Sequence, residues 1–82
     1  MDSLLDQYLS VDPEIHHGKA CFRGTRVPVY VILELLEAGL TTETITGPDY
    51  YPQLRPDHVR AALHFAAQQA KHQEYLPLPN SA

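Results

Sequence analysis

Apolar residues in the middle of the chain recur at the i, i+3, i+4, i+7 spacing of a buried helix face: Val29, Ile32, Leu33 and Leu36. Pro28 directly precedes this run, and proline suits the first turn of a helix because the N–H that it lacks has no partner there. Gly39 follows the run, where a helix end favours a residue with left-handed backbone angles. The pattern predicts a helix over residues 28–38.

Two further helices are predicted downstream. Thr41 is a good N-cap, and Leu40 and Ile45 occupy the two positions of a hydrophobic staple around it. This arrangement predicts a short helix over residues 41–46. A third helix is predicted over residues 56–74, and its apolar stripe consists of Val59, Ala62, Leu63, Ala66 and Ala70. Most of these side chains are small, so another helix can approach this one closely.

The N-terminal third predicts a short helix followed by a β-hairpin. Apolar residues share one side of a helix over residues 3–9. Extended segments at residues 15–16 and 20–22 flank a turn signal at residues 17–19, which predicts a hairpin within residues 11–27. Because two strands are not stable alone, the hairpin is expected to pack on the helices or on another chain.

These elements predict a mainly α fold. The order of three helices is that of a tri-helical helix-turn-helix-like domain, of the homeodomain-like or winged-helix-like kind, preceded by a short N-terminal β-hairpin. We expect a single domain over residues 1–76 and a flexible tail over residues 77–82, where prolines prevent a helix.

Length and composition narrow the class of protein. A chain of 82 residues buries a thin core, which favours oligomerisation, and we expect a homodimer. A hydrophobic content of 44% argues against a disordered chain. No apolar run approaches the roughly 20 residues of a membrane span, and the N-terminus lacks a signal-peptide pattern. These features predict a cytoplasmic protein with no membrane partner.

The charge balance bears on nucleic-acid binding. Six Lys and Arg against ten Asp and Glu give a net charge of −4, which argues against a strongly DNA-binding monomer because such affinity comes mainly from neutralised phosphates. A local basic face in a dimer remains compatible with operator DNA. A small acidic protein also suits a basic partner surface.

The third predicted helix carries the candidate DNA contacts. In a helix-turn-helix unit the last helix enters the major groove and its N-terminal end meets the base edges. The residues on its outward face or near that end are Gln53, Arg55, His58, Arg60, His64 and Lys71. A plain solvated face is the alternative interpretation, because any amphipathic helix on a three-helix domain presents one.

Candidate chemistry is sparse elsewhere. No Ser-His-Asp order, phosphate loop or carboxylate pair is found, so the sequence predicts a non-enzyme with no catalytic residues and no cofactor. The five histidines lack the spacing of zinc ligands, and no metal site is predicted. Cys21, between Ala20 and Phe22, is predicted to be a buried structural thiol.

The most distinctive local feature is a motif of four residues, Gly24, Thr25, Arg26 and Pro28. In a functional interpretation Arg26 contacts a phosphate or carboxylate at the start of the first long helix. In a structural one Thr25 caps that helix, Gly24 permits a tight bend, and Arg26 pairs with Asp12 or Glu14. An arginine at a helix N-terminus gains nothing from the helix dipole, so it needs a nearby anion, and the structural interpretation is favoured.

Several short blocks along the chain occur together: Asp12-Pro13-Glu14-Ile15, Gly18-Lys19, Arg23-Gly24-Thr25-Arg26-Val27-Pro28-Val29, Ile32-Leu33, Gly39-Leu40, Tyr51-Pro52, Leu54 and Val59-Arg60-Ala61-Ala62-Leu63. With these blocks the chain resembles the bacterial domain-of-unknown-function family four-three-three over roughly residues 8 to 70. Where Arg55 stands, that family usually has Thr or Ser. The third helix is therefore expected to lose its side-chain N-cap.

The resemblance implies a function. It implies a helix-turn-helix-like protein similar to VapB-type antitoxins, commonly partnered with a PIN-like ribonuclease toxin. Such a protein binds the toxin, blocks its ribonuclease site and represses the shared promoter, usually as a dimer. Two alternatives stay open: a stand-alone DNA-binding regulator, and a dimerisation or interaction adaptor that no longer touches DNA, which a net charge of −4 would suit.

Overall fold

The chain runs from an N-terminal helix through a two-stranded hairpin into three further helices. The computed structural model describes residues 3–72; the predicted helix end at residue 74 and the predicted flexible tail at residues 77–82 lie outside the described residues. The elements are α1 (Ser3–Tyr8), β1 (Leu9–Val11), β2 (Ala20–Phe22), α2 (Val29–Glu37), α3 (Thr42–Ile45) and α4 (Pro56–His72). The prediction of a mainly helical domain with an N-terminal hairpin is confirmed.

The hairpin uses a different first strand from the predicted one. Strand β1 pairs antiparallel with β2 in the register Leu9↔Phe22, Ser10↔Cys21 and Val11↔Ala20. The prediction of a strand at residues 15–16 is therefore wrong, and so is the predicted helix position at Leu9. The physical reason is burial, because Leu9 is only 6% exposed and joins the core as a strand residue.

Of the two residues predicted to form that strand, Ile15 is extended, whereas His16 begins a tight left-handed turn. His16, His17 and Gly18 have φ values of 50°, 56° and 84°. Asp12 begins this loop, and its carboxylate accepts a hydrogen bond from the Glu14 N–H at 2.9 Å. Two consecutive non-glycine residues with left-handed angles store strain, and the His16 side chain contributes a contact that helps to hold them: its Nε2 lies 2.9 Å from the Arg26 carbonyl oxygen.

Helix α2 begins one residue later than predicted. Pro28 has φ −68° and ψ 144°, so it is the extended residue before the helix, and it forms an isolated bridge with Cys21. The predicted glycine end is confirmed, since Gly39 has φ +98°. The Leu40 N–H bonds the Leu35 carbonyl and the Gly39 N–H bonds the Leu36 carbonyl, which is the Schellman pattern.

The predicted N-cap of the short helix α3 is confirmed. The Thr41 hydroxyl accepts a hydrogen bond from the Thr44 N–H at 3.1 Å. Ile45, at the staple position, is fully buried, and Leu40 packs against the same cluster. The Thr41 cap and the Leu40–Ile45 staple together fix where α3 begins after α2.

The core lies between the hairpin, α2, α3 and α4, and α1 packs across α4. Its buried members are Leu9, Phe22, Val29, Ile32, Ile45, Leu54, Val59, Ala61 and Ala62. The predicted stripe on α4 is wrong at Leu63, which is 50% exposed, and at Ala70, which is also exposed, whereas Ala61 is fully buried. Tyr8 of α1 contacts Asp57 and His58, one helical turn before Ala61, so α1 covers α4 on the side of Ala61 and the buried side of the helix is rotated. Among residues 3–72, no helix has the length and apolarity needed to cross a membrane.

Candidate functional site

The residues around the Gly-Thr-Arg motif form a rigid turn between β2 and α2. The Phe22 N–H donates to the Val27 carbonyl at 3.0 Å. The Thr25 hydroxyl donates to the Phe22 carbonyl at 2.7 Å and accepts from the Val27 N–H at 3.1 Å. Gly24 has φ +80°, which a side chain would strain. Thr25 therefore closes this turn, and the interpretation that it caps α2 is wrong.

Arg23 is the structural arginine of this turn, and the sequence analysis did not single it out. Its Nε donates to the Asp6 carbonyl at 2.9 Å, and its Nη2 donates to the Leu9 carbonyl at 2.6 Å. Its own N–H bonds the Tyr8 carbonyl at 2.7 Å. The Arg23 guanidinium at the C-terminal end of α1 donates to carbonyls that have no partner within the helix. Its positive charge is also stabilised by the negative end of the helix dipole. No local sequence signal reveals this, because the carbonyls lie 14 and 17 positions away.

Arg26 holds the turn through its backbone and presents its side chain outward. Its carbonyl oxygen is the contact of His16 described above. Within residues 3–72 its guanidinium makes no ion pair with Asp12 or Glu14, so the predicted pairing is wrong. Arg26 borders an open cleft of about 590 Å³ whose walls include Asp12 and Ile15.

The candidate DNA-contacting residues differ in how far their side chains are exposed. Four have exposed side chains, namely Gln53, Arg55, Arg60 and Lys71. His64 is half-buried. Arg60 lies 3.8 Å from the Asp57 carboxylate, with side chains 71% and 57% exposed, so this ion pair is weak and readily exchanged for a phosphate. Gln53, Arg55 and Arg60 lie near the N-terminal end of α4, whereas Lys71 lies in its last turn.

His58 points inward instead. Its Nδ1 accepts the Arg55 N–H at 2.9 Å, so a side chain at the third helical position bonds the N-cap backbone as Glu or Gln does in a capping box. Its ring meets those of Tyr8 and Phe22 edge to face, at centroid distances of 4.9 and 5.7 Å. With Arg55 at the N-cap, α4 was expected to lack a side-chain hydrogen bond at its N-terminal end. The His58 side chain makes such a bond from the third helical position instead. His58 joins α1, β2 and α4.

Burial lowers the pKa of His58 below its ordinary value of 6.5, the Arg55 charge lowers it further, and the Asp57 carboxylate opposes both. Protonation would also take the Nδ1 lone pair that the Arg55 N–H uses. Since the unfolded chain binds this proton more readily, the stabilising contribution is complete above about pH 6.5 and is lost as pH falls through the folded-state pKa.

We predict that this loss of folding stability at low pH arises from protonation of the His58 imidazole. The variant His58→Gln keeps an acceptor at the same helix position but does not titrate. Urea unfolding between pH 5 and pH 7.5 should therefore show a shallower decline for the variant than for the parent protein. Equal declines in the two proteins would contradict this role for the imidazole.

Cys21 is buried, at 3% exposure, which confirms the predicted structural thiol. Burial raises the pKa of its thiol, and the nearby Arg26 charge only partly opposes this shift. A raised pKa disfavours the reactive thiolate. Within residues 3–72 no three His, Cys, Asp or Glu side chains are grouped to hold a metal ion.

The connection between α3 and α4 is long for a helix-turn-helix. It spans residues 46–55, whereas such turns usually contain about three or four residues. Two anchors hold it in place: the Tyr51 N–H bonds the Ile45 carbonyl at 2.9 Å, and Leu54 is 2% exposed. Its exposed end presents Gln53 and Arg55 beside the start of α4.

Comparisons with known proteins place this fold in a family. A crystal structure of a DUF433 member protein from Anabaena variabilis matches with a TM-score of 0.72 and 25% sequence identity, covering 84% of this chain and 66% of that one. This chain therefore spans 66% of the length of that protein. No curated protein matches the sequence. The family model described as a protein of unknown function, DUF433, matches residues 9–66, and the chain belongs to the DUF433 family.

Proposed function

We propose that this chain is the antitoxin of a type II toxin–antitoxin pair. In this proposal it binds a PIN-like ribonuclease toxin in the cytoplasm and, as a homodimer, contacts operator DNA of the shared promoter through α4. The observation that carries the DNA-binding part is a row of three exposed cations along α4: Arg55 directly before the helix, Arg60 in its second turn and Lys71 in its last turn. The toxin partner rests on the family resemblance.

Electrostatics sets how strong such DNA binding can be. Each protomer offers three full positive charges at this face, and Asp57 partly neutralises the one on Arg60. The net charge of −4 opposes approach to DNA. A dimer doubles the number of phosphate contacts, so we expect binding that is measurable at low salt and weakens steeply as salt rises.

We predict that the combined variant Arg55→Ala, Arg60→Ala and Lys71→Ala reduces both the affinity and its salt dependence. Each lost phosphate contact should lower the slope of log K against log salt by about 0.9. Fluorescence anisotropy with a fragment of the protein's own promoter measures the slope. Lys19→Ala is the matched control, because Lys19 is an exposed cation beside the hairpin and away from this face.

The toxin half of the proposal has a direct test. The neighbouring small reading frame is expressed alone and together with this chain, and growth and complex formation are measured. Toxicity that this chain relieves, with a stable copurified complex, supports the antitoxin. If the neighbour is harmless and does not bind, while this chain shifts its own promoter, the protein is a stand-alone regulator.

One observation favours a second candidate, an interaction adaptor that does not bind DNA. The ten-residue connection over residues 46–55 differs from the short turn that holds two helices in a helix-turn-helix. The salt titration separates the two candidates. If the parent and the triple variant have the same weak affinity for promoter and random DNA, the adaptor replaces the DNA-binding proposal.

A further inference from the structure

A second surface of the domain, distinct from the outward face of α4, is an open apolar groove around Phe65. Two adjoining cavities of about 360 and 290 Å³ share Phe65 and Ala20 in their walls. Tyr30 and Leu33 line the larger cavity, and Leu5 lines the smaller one. We call this surface the Phe65 groove. The two cavities are its two ends, and Phe65 lies between them.

The Phe65 groove leaves apolar surface uncovered. Phe65, Leu33 and Leu5 are only half-buried. Tyr30 borders the larger cavity and Val11 the smaller one, and these side chains are 46% and 64% exposed. They are two of the four large apolar side chains that are exposed among residues 3–72. A concave apolar surface with exposed aromatic and aliphatic side chains at its border is typical of a protein–protein contact.

The groove lies away from the candidate DNA contacts of α4. Phe65 follows Arg60 by five positions, which places the two side chains about 140° apart around the helix axis. Arg60 is exposed, whereas Phe65 packs against the core. A partner seated on the groove therefore leaves the Arg60 side of α4 uncovered.

Each end of the groove has one acidic and one basic side chain. Asp6 and Arg23 line the smaller cavity. Lys19 lines the larger cavity, and Glu34 follows Tyr30 by one helical turn on the same side of α2. All four charged side chains are exposed, and none of them forms an ion pair among residues 3–72. The acid of one end is therefore available to the base of the other end in a second copy.

A twofold axis makes this surface complementary to itself. When the axis crosses the groove beside Phe65, the larger cavity of one chain faces the smaller cavity of the second copy. Asp6 then faces the partner's Lys19, and Tyr30 faces the partner's smaller cavity. Because every contact occurs twice, opposite charges meet at both ends of the interface and favour this pairing.

From these observations we propose that two copies of this chain form a homodimer through the Phe65 groove, with Phe65 beside the twofold axis and Asp6 paired with the partner's Lys19. The occupant of each groove is thus a second copy. The inference shares the homodimer with the proposed function, and it is independent of toxin binding and of DNA binding.

The first test compares two tyrosines of similar exposure. Sedimentation equilibrium of the full-length protein over a concentration series measures the dissociation constant of the dimer. Tyr30→Lys places a charge in the contact and should raise this constant at least about tenfold, because interface tyrosines are often hot spots. Tyr50→Lys is the matched control: Tyr50 is 44% exposed but lies in the connection between α3 and α4, and it should leave the constant unchanged. Both variants should fold, because neither side chain is buried.

The second test reverses charges and so examines the twofold arrangement. Asp6→Lys brings a cation against the partner's Lys19, and Lys19→Asp brings a carboxylate against the partner's Asp6. Each reversal alone should weaken the dimer about tenfold. The combined variant restores opposite charges and should return the dissociation constant towards that of the parent protein. Lys19→Ala removes an exposed pair without adding repulsion, so its dimer should persist.

Three results would overturn the proposal. A parent protein that stays monomeric at every concentration leaves the groove to a different protein. Equal dissociation constants for Tyr30→Lys and Tyr50→Lys mean that the dimer uses another surface, and the homodimer of the proposed function then stands without this inference. A combined charge variant that dimerises no better than the single reversals excludes the twofold arrangement.

Failure of the proposed function has a different signature. A dimer that Tyr30→Lys disrupts and Tyr50→Lys leaves intact, and that recovers in the combined charge variant, supports the inference. If that same dimer neither relieves the toxicity of the neighbouring gene product nor binds promoter DNA, the proposed function is wrong and the inference holds.

Discussion

Phe22→Ala should destabilise the protein by about 3–5 kcal/mol, the range for removing a fully buried aromatic ring. Phe22 is 0% exposed at the centre of the core, and its ring packs edge to face with His58. The substitution leaves a cavity where the hairpin meets the helices. A domain of this length has a total stability of only about 4–12 kcal/mol, so the variant should be close to unfolding at 37 °C.

Urea denaturation followed by far-ultraviolet circular dichroism measures this loss. Val11→Ala is the control: Val11 lies on the paired strand but is 64% exposed, so its truncation should change the free energy of unfolding by about 0.5 kcal/mol or less. A Phe22→Ala protein that unfolds at the same urea concentration as Val11→Ala would show that the hairpin does not contribute to the core as described.

Arg23→Ala should cost about 1–3 kcal/mol. The side chain donates two charge-assisted hydrogen bonds to the carbonyls of Asp6 and Leu9, and this exposed position reduces their value below that of buried bonds. Without them, the end of α1 keeps the backbone bond from the Arg23 N–H to the Tyr8 carbonyl but is held less tightly to the hairpin. We therefore expect faster hydrogen exchange in α1 and a lower melting temperature, both measured on the full-length protein.

Two controls separate geometry from charge. Arg23→Lys keeps the charge but not the planar fork that reaches two carbonyls, so it should recover only part of the loss. Arg26→Ala removes an equal charge three residues away, yet its side chain is exposed and makes no ion pair among residues 3–72. Its melting temperature should stay near that of the parent. A larger loss for Arg26→Ala than for Arg23→Ala would reverse the roles assigned to these arginines.

The two arginines of the turn between β2 and α2 thus have separate roles. Arg23 fastens α1 to the turn, whereas Arg26 contributes its carbonyl oxygen to the loop contact with His16 and leaves its guanidinium in solvent. Because Arg26 is held on a rigid turn, an Arg26→Ala protein with unchanged stability is also suited to testing whether this side chain contacts the proposed toxin partner.

Much of the helical fold was predictable from short stretches of sequence. Periodicity located α2 and α4, and the cap at Thr41 and the glycine end at Gly39 located the boundaries of α3 and α2. These signals act within one or two helical turns, since capping bonds and the 3.6-residue period join residues three to five positions apart. A single sequence contains that information.

Other features depend on contacts between residues far apart in the sequence, which no local pattern contains. They are the hairpin register, the inward position of His58 and the hydrogen bonds of Arg23 to α1 and β1. The Tyr8 hydroxyl meets the Asp57 carboxylate across 49 positions of sequence, and the same packing of α1 on α4 turns His58 inward. It also buries Ala61 and leaves Leu63 exposed. Which side of α4 is covered follows from where α1 lies. That position is fixed by burial and hydrogen bonds between distant residues, so it appears only when the whole chain is packed.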